Sequence, residues 1–382
     1  MKKPIIVAAK RTAFGKYGGT LKHLEPEQLL LPLFEHFKAQ CPDIMTKIDD
    51  IILGNVVGNG GNVARKSLLE AGLDSSIPGV TIDRQCGSGL EAVIQACRMI
   101  QAEAGEVFIA GGVESSSRAP WKIKRPQSVY DNELPMFYER ASFAPENQDP
   151  SMIEAAENVA QHYNITKEQQ DRFAYESHQK TIKAYDQQQI TQEILPITVK
   201  GKSFSIDESV KPRLTYEKIS RFKPLLADGS VSIGNCCMKN DGAVLLLVME
   251  EKLAQSLGFI EGLQFIDSSI KGVNPNLLGI GPVPAVTQLL HKHKMTMQDI
   301  DAVELNEAFA SQVLACKRQL DITERQLNQW GGAIASGHPY GASGAALVTR
   351  LFYMKEVDRS IATMGIGGGM GNAILFRRWN RK

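Results

Sequence analysis

Cys86 lies in "DRQCGSGLEAV", where a β-rich run gives way to a glycine-rich turn and a helical pattern. Unpaired backbone N–H groups and the helix dipole gather at such a turn, favour negative charge and can lower a thiol's pKa. Gly87 and Gly89 leave a ligand room to approach the main chain. A nucleophilic thiol is one reading; a buried structural cysteine, the default for Cys97 in the following helix, is the other. His338, in "ASGHPYGASG", sits between Gly337 and Pro339. A rigid, accessible loop position suits a general base, and equally a surface histidine. Asn306, in "VELNEAFASQV", ends a strand and begins a helix. It serves there either as an N-cap or as a holder of a water or carbonyl oxygen. In "IATMGIGGGMGNAILF", Gly367 can offer a backbone N–H to an oxyanion. That stretch is not a dinucleotide fingerprint, because its spacing differs from G-x-G-x-x-G and a strand, not a helix, follows. No G-x-x-x-x-G-K-[ST] occurs either.

Short β-rich runs alternate with helical patterns through the first part of the chain. "PIIVAA", "DIILGN", "GVTIDR" and "EVFIAGG" read as strands; "PEQLLLPLFEHFKAQ" and "SGLEAVIQACRMIQAEAG" repeat apolar residues at helical spacing. Such alternation predicts an α/β unit around a largely parallel sheet. From about Arg118 to Asn240 the chain turns polar and proline-rich, with helical patterns near 151–163 and 167–187. The α/β texture resumes with "AVLLLVM", "LQFIDSSI", "AVELN" and "SIATMGI". Across the excursion the order Gly/Ser turn, apolar helix, strand and Gly turn occurs twice, after Cys86 and after His338. Two similarly folded halves follow from that repeat.

The 43 basic and 42 acidic residues leave a net charge of +1, so nothing favours nucleic acid or an anionic membrane. The apolar run Pro4–Ala9 is too short for a signal peptide core and is closed by Lys10 and Arg11. "AVLLLVM" is strand-sized, not membrane-sized. The six cysteines form no C-x-x-C pair, which argues against a zinc site or disulfide framework and for a reducing cytoplasm.

In this order the stretches "AAKRTAFGKYGGTL", "CGSGLEAV", "AGGVESSS", "AENVA", "NDGAVLL", "GIGPVPA", "NEAFA", "GGAIASGHPYGASG" and "GIGGGMG" resemble the thiolase family of acyl-CoA acyltransferases. The likeness covers nearly the whole chain. It implies two similar α/β halves forming a layered αβαβα core, with an inserted loop domain that covers coenzyme A. The halves would be residues 1–118 with 243–258, and 259–382; the loop domain would be 119–242. It also implies a ping-pong transfer in which Cys86 attacks an acyl thioester, His338 activates it and an acyl-enzyme forms. Asn306, through a water, and His338 would stabilise the enolate of the second acyl-CoA. The N–H groups of Cys86 and Gly367 would form the other oxyanion hole. Met152 and Phe309 match positions lining the acyl pocket. "GNCCMKNDG" matches the pantetheine contact, with Cys237 in place of a small polar residue. Acyl-CoA and CoA would be substrates, with no metal and no tightly bound cofactor. The assembly would be a cytoplasmic homodimer or dimer of dimers, without nucleic acid or membrane partners.

One departure stands out. Thiolases typically read Cys-x-Gly-Gly-Gly at the C-terminal motif, and that cysteine moves the α-proton of the nucleophilic acyl-CoA. Gly365 occupies the position here. Some members carry the thiol at the Ala308 position instead, and it is missing there too. The expected activity is therefore acetyl-CoA acetyltransferase-like, impaired or altered. Decarboxylative condensation, thioester hydrolysis or acyl transfer between thiols at the same Cys-His-Asn set is the alternative. A non-catalytic CoA-binding scaffold is another.

Overall fold

The apolar run Asn240–Glu250 is a central strand in which every residue is buried. Leu245, Leu247 and Met249 enter one apolar core, and Val244, Leu246 and Val248 enter another. Side chains alternate across a strand, so a continuous apolar run needs a layer of structure on each face. In this computed structural model the described residues are 2–126, 128, 130, 134–138 and 140–380.

Nine strands define the main sheet. They are β1 (Pro4–Arg11), β2 (Asp50–Gly54), β3 (Gly79–Ile82), β4 (Val107–Ser115), β5 (Asn240–Glu250), β6 (Glu261–Gly272), β7 (Ala302–Leu305), β8 (Arg359–Ile366) and β9 (Met370–Asn380). Their spatial order is β7-β8-β9-β6-β1-β5-β4-β2-β3, with a two-residue strand, Gly15–Lys16, beside β5. The pairs β2·β3, β2·β4 and β7·β8 are parallel and the rest antiparallel. The first half reads β3-β2-β4-β5-β1; the second mirrors it as Leu327-β7-β8-β9-β6, the outermost place taken by a single bridge from Val303 to Leu327. The halves meet where Ile5 and Ile6 pair with Gln264 and Leu263. The repeat read from the turn–helix–strand order is thus present in the strand order.

The helices that matter to the site are α1 (Pro26–Gln40), α2 (Val63–Glu70), α3 (Ser88–Gln101), α4 (Met152–His162), α5 (Lys167–Asp186), α6 (Pro282–Lys292), α7 (Ala310–Gln319) and α8 (Tyr340–Tyr353). Leu29, Leu33 and Phe34 of α1 and Leu68 of α2 cover the outer face of the first half. Val286 and Leu289 of α6 and Val313 of α7 cover that of the second. Between the halves, Leu90 and Val93 of α3 meet Ala342, Ala345 and Val348 of α8. The result is an α/β/α/β/α layering, each fully buried aliphatic side chain contributing about 1.5–3 kcal/mol.

The two inner helices approach closely because glycines face each other. A Cβ on Gly89 would lie 2.6 Å from the Gly341 carbonyl oxygen, and one on Gly344 would collide with the Leu90 backbone. Cys86 lies two residues before α3 and His338 two residues before α8. This crossing therefore places the two N-terminal turns side by side.

The chain leaves the sheet at Ser115 and rejoins it at Asn240. Within that insertion α4 and α5 form where the amphipathic patterns occur, each opened by a capping box, Ser151 with Glu154 and Thr166 with Gln169. A buried ionic cluster ties the insertion to the body. Arg11 of β1 bonds Asp207 at 2.7 Å and Glu193 at 2.7 Å, and Arg350 of α8 reaches Glu193 at 2.9 Å. Removing one partner from such a cluster costs about 3–5 kcal/mol. No helix among the described residues is long and apolar enough to cross a membrane.

Candidate active site

The turn from Asp83 to Ser88 is stitched by its own side chains. The Asp83 carboxylate accepts the Gln85 N–H at 2.7 Å; Ser88 Oγ accepts the Arg84 N–H at 2.8 Å and donates to the Gln85 carbonyl at 2.6 Å. Gln85 is held in the left-handed region, φ 47°, a strained conformation for a residue with a side chain. The sharp bend presents Cys86 at the mouth of α3, half-buried.

The backbone N–H groups of Cys86 and Gly367 both face the Cys86 sulfur and act to favour its thiolate. The glycine turn after β8 is held there by Asn372 of β9, whose Nδ2 donates to the Gly87 carbonyl at 3.2 Å. Ile366 packs against Gly87, where a Cβ would stand 2.5 Å from Ile366 Cδ1. Phe143, from the insertion, covers Gly367 on the other side, its ring about 3 Å from where a Cβ would stand. Despite the two N–H donors, burial pushes the Cys86 thiol up to about 12, with Glu114 and Asp83 adding to the rise. The sequence reading anticipated a lowered value. Desolvation of the thiolate outweighs the helix terminus here.

His338 is 1% exposed, not an accessible loop residue. Its N–H is shared between the Met238 carbonyl at 3.1 Å and Asn240 Oδ1 at 3.2 Å. Asn240 is itself fixed by donating to the Gly15 carbonyl at 2.9 Å and to Ser209 Oγ at 3.0 Å. Ser343 Oγ donates its proton to the Pro339 carbonyl at 2.9 Å. It can therefore only accept from His338 Nδ1, 2.6 Å away. The tautomer with the proton on Nδ1 satisfies both bonds and leaves on Nε2, which has no partner among the described residues, a free lone pair. Burial lowers the imidazole to about 4, so it is neutral at physiological pH.

Asn306 does not cap a helix. Phe309 holds the N-cap position of α7, and Asn306 instead continues the line of β7, its N–H donating to the Thr363 carbonyl at 3.1 Å. Its buried Nδ2 has no partner among the described residues. Thr363 Oγ1 in turn donates to the Asn372 carbonyl at 2.7 Å, which links Asn306 through β8 and β9 to the turn at Gly87.

Around these groups, Cys237 and Phe309 belong to two segments that pair. Cys236 bridges Phe309, and the Cys237 N–H donates to the Ala308 carbonyl at 3.0 Å. Met152 opens α4, which is tied by Asn158 Nδ2 to the Asn276 carbonyl at 3.1 Å. The same Pro275–Ile280 turn lies against Gly365, whose missing Cβ would stand 3.3–3.5 Å from Leu278 and Gly279.

Both halves of the chain match thiolase profiles, the N-terminal domain over residues 4–252 and the C-terminal domain over 263–378. The chain belongs to the thiolase family. It is 68% identical over 379 residues to a protein of Staphylococcus epidermidis provisionally named acetyl-CoA C-acetyltransferase VraB, covering 99% of each chain. A Staphylococcus aureus protein of the same name is 65% identical, with 99% of this chain and 100% of that one covered. Among solved structures, an acetyl-CoA acetyltransferase of Bacillus anthracis superposes with a TM-score of 0.93 at 33% identity over 99% of both chains. A human mitochondrial 3-ketoacyl-CoA thiolase in complex with CoA gives 0.92 at 31% identity over 98% of both.

Several groups that hold the Cys86 and His338 loops were not singled out in the sequence. Glu114 accepts from the N–H groups of Val56, Val57 and Gly341 and from Asn55 Nδ2, between 2.9 and 3.1 Å. Burial raises it to about 7. It anchors the start of α8, and with it His338. Ser343 and Asn240 fall inside quoted motifs, five residues after His338 and in "KNDG"; Phe143 carries no sequence signal at all. Among the described residues no group of three or more His, Cys, Asp or Glu is placed to hold a metal ion.

The raised thiol has a measurable consequence. With a pKa of about 12, Cys86 is almost wholly protonated at neutral pH. Its alkylation by iodoacetamide should rise about tenfold per pH unit from 7 to 9, without the plateau an ordinary thiol of about 8.5 begins to show. Peptide mapping by mass spectrometry, following Cys86 alone, checks this.

Proposed function

We propose that the protein is a thiolase-type acyl-CoA C-acyltransferase that works through an acyl-Cys86 intermediate. The observation that carries it is the convergence of the Cys86 and Gly367 N–H groups on the Cys86 sulfur. Donors that meet at the nucleophile are set to hold the oxyanion that forms when it attacks a thioester. His338 Nε2, neutral and unpartnered, takes the thiol proton, with Ser343 fixing the ring. A thiol of high pKa beside a neutral imidazole needs this transfer within the attack itself, since neither is ionised beforehand. Asn306 Nδ2, buried and free, supplies a donor for the enolate of the second acyl group. Coenzyme A thioesters are the substrates in this reading, Phe309 and Met152 facing the acyl group. A homodimer or dimer of dimers is the proposed assembly.

A second reading has one observation in its favour. Gly365 has no side chain where the family typically places the α-proton carrier, whereas acylation and deacylation of Cys86 need no such group. Decarboxylative condensation, thioester hydrolysis or transfer between thiols would run on Cys86, His338 and Asn306 alone. The test of the shared first step is intact-mass measurement after incubation with acetyl-CoA. A single acetyl adduct, mapped to Cys86, is expected. No adduct at saturating acetyl-CoA would favour a CoA-binding scaffold.

A further inference from the structure

We propose that Cys237 is the acid/base thiol of this site and moves the α-proton for which Gly365 has no side chain. The inference rests on the acyltransferase reading above. Cys237 sits on the segment that runs between Ala308 and His338. The antiparallel bridge of Cys236 with Phe309 sets Cys237 opposite Ala308, and the 3.0 Å bond from the Cys237 N–H to the Ala308 carbonyl fixes that register. Residues opposed in an antiparallel pair project to the same face, with Cβ atoms about 4.5–5.5 Å apart. The Cys237 thiol therefore shares the face of Ala308, two residues beyond Asn306. One residue on, the Met238 carbonyl accepts the His338 N–H at 3.1 Å, and Lys239 bridges His338. The segment is thus clamped between the Asn306 strand end and the His338 loop, and Cys237 is only half-buried.

The electrostatics agree. Burial, then the Cys236 and Cys86 thiols, push Cys237 well above the ordinary cysteine range. The effect of Cys86 on Cys237 accords with the register that brings the Cys237 segment to the site. At neutral pH Cys237 consequently keeps its proton, as a donor to a carbanion must.

Several titratable groups near the site are committed elsewhere. The Glu114 carboxylate is filled by four donors. Glu307 accepts from Ser177 Oγ at 2.6 Å, Asn328 Nδ2 at 2.8 Å and the Ile334 N–H at 3.2 Å. Cys316, behind the Pro275–Ile280 turn, is fully buried and donates to the Gly279 carbonyl at 3.4 Å. His338 holds the proton of Cys86 from the attack until the Cys86 thiolate is released, and is not free to serve C2 as well.

In cleavage of a 3-ketoacyl-CoA the proton count closes. Cys86 adds to the keto carbonyl as its proton passes to His338. The C2–C3 bond breaks, its electron pair stays with the departing acetyl-CoA enolate, and the Cys237 S–H protonates C2. The Cys237 thiolate then takes the proton of the incoming CoA thiol. That sulfur attacks acyl-Cys86, and the released Cys86 thiolate recovers its proton from His338.

Cys237→Ala and Cys237→Ser are compared with native protein in two assays, acetoacetyl-CoA cleavage by CoA and single-turnover acetylation of Cys86 by acetyl-CoA. Both variants should lower kcat for cleavage about 100-fold or more, with KM and the acetylation rate within about threefold. Gly365→Cys added to Cys237→Ala should restore cleavage. Unchanged cleavage in Cys237→Ala overturns the proposal. So does a loss seen only as higher KM, which would mark a pantetheine contact alone. Native protein that becomes acetylated but never cleaves acetoacetyl-CoA overturns it too, leaving acylation of Cys86 in place. Native protein that is not acetylated at all overturns the acyltransferase reading itself.

Discussion

Cys86→Ala is expected to abolish the acetyl adduct and to lower any acyl transfer by about 10⁴-fold or more, the scale on which removing a nucleophile acts. The loss should fall on the chemical step. The Cys86 and Gly367 N–H groups belong to the backbone and survive the substitution, as do the bonds that hold the Asp83–Ser88 turn. CoA affinity, measured by calorimetry, should stay within about threefold, and the unfolding midpoint should barely move because the residue is half-buried. Persistent acetylation at another cysteine, with undiminished turnover, would mean that the nucleophile has been misassigned. Cys237 is where such an adduct would be sought first.

Gly365→Cys is the second large effect, and its sign is opposite. Added to a chain carrying Cys237→Ala, the thiol should raise acetoacetyl-CoA cleavage by about 10²-fold, the scale of an acid/base supplied where none remains, and by far less in the native chain, where Cys237 already moves the α-proton. The backbone permits the change. Gly365 lies in β8, paired with Gly371 of β9, and its φ is outside the left-handed region that favours glycine. The nearest atoms to a Cβ there are the Gly279 and Leu278 carbonyl oxygens and the Gly279 Cα, at 3.3–3.5 Å, so the Pro275–Ile280 turn has to yield by a few tenths of an ångström. Neighbouring glycines differ. Gly368 and Gly369 have φ of 84° and 79°, and a Cβ on Gly367 would press into the Phe143 ring. Position 365 is therefore glycine without a conformational need for it, whereas the following three are held by turn geometry and by Phe143. Acetylation of Cys86 should change little, which separates a gain in proton transfer from a general improvement in folding. A double variant that folds as well as Cys237→Ala yet cleaves no faster than it would show that the position does not face the reacting carbon.

These effects rest on features legible to different degrees in the chain. Strand and helix positions followed from apolar periodicity and turn residues: "AVLLLVM" is a strand buried on both faces, and the patterns near 151–163 and 167–187 are α4 and α5. The paired halves were visible as a repeated turn–helix–strand order. Residue types at Cys86, His338, Asn306 and Gly367 marked the candidate chemistry, because glycine turns at helix starts are recognisable locally. Tertiary structure decided the charge states. The helix terminus argued for a lowered Cys86 pKa, but burial between the glycine turn and the β3–α3 turn raised it. His338 read as accessible because its loop is rich in glycine and proline, yet Asn240, Ser343 and Glu114 draw that loop inside. Asn306 looked like a cap until the helix was seen to start at Ala310. Sequence determines which groups exist and the local element each begins. Which water is excluded, which lone pair stays free and which thiols come to share one face depend on contacts across hundreds of residues, and only packing fixes those.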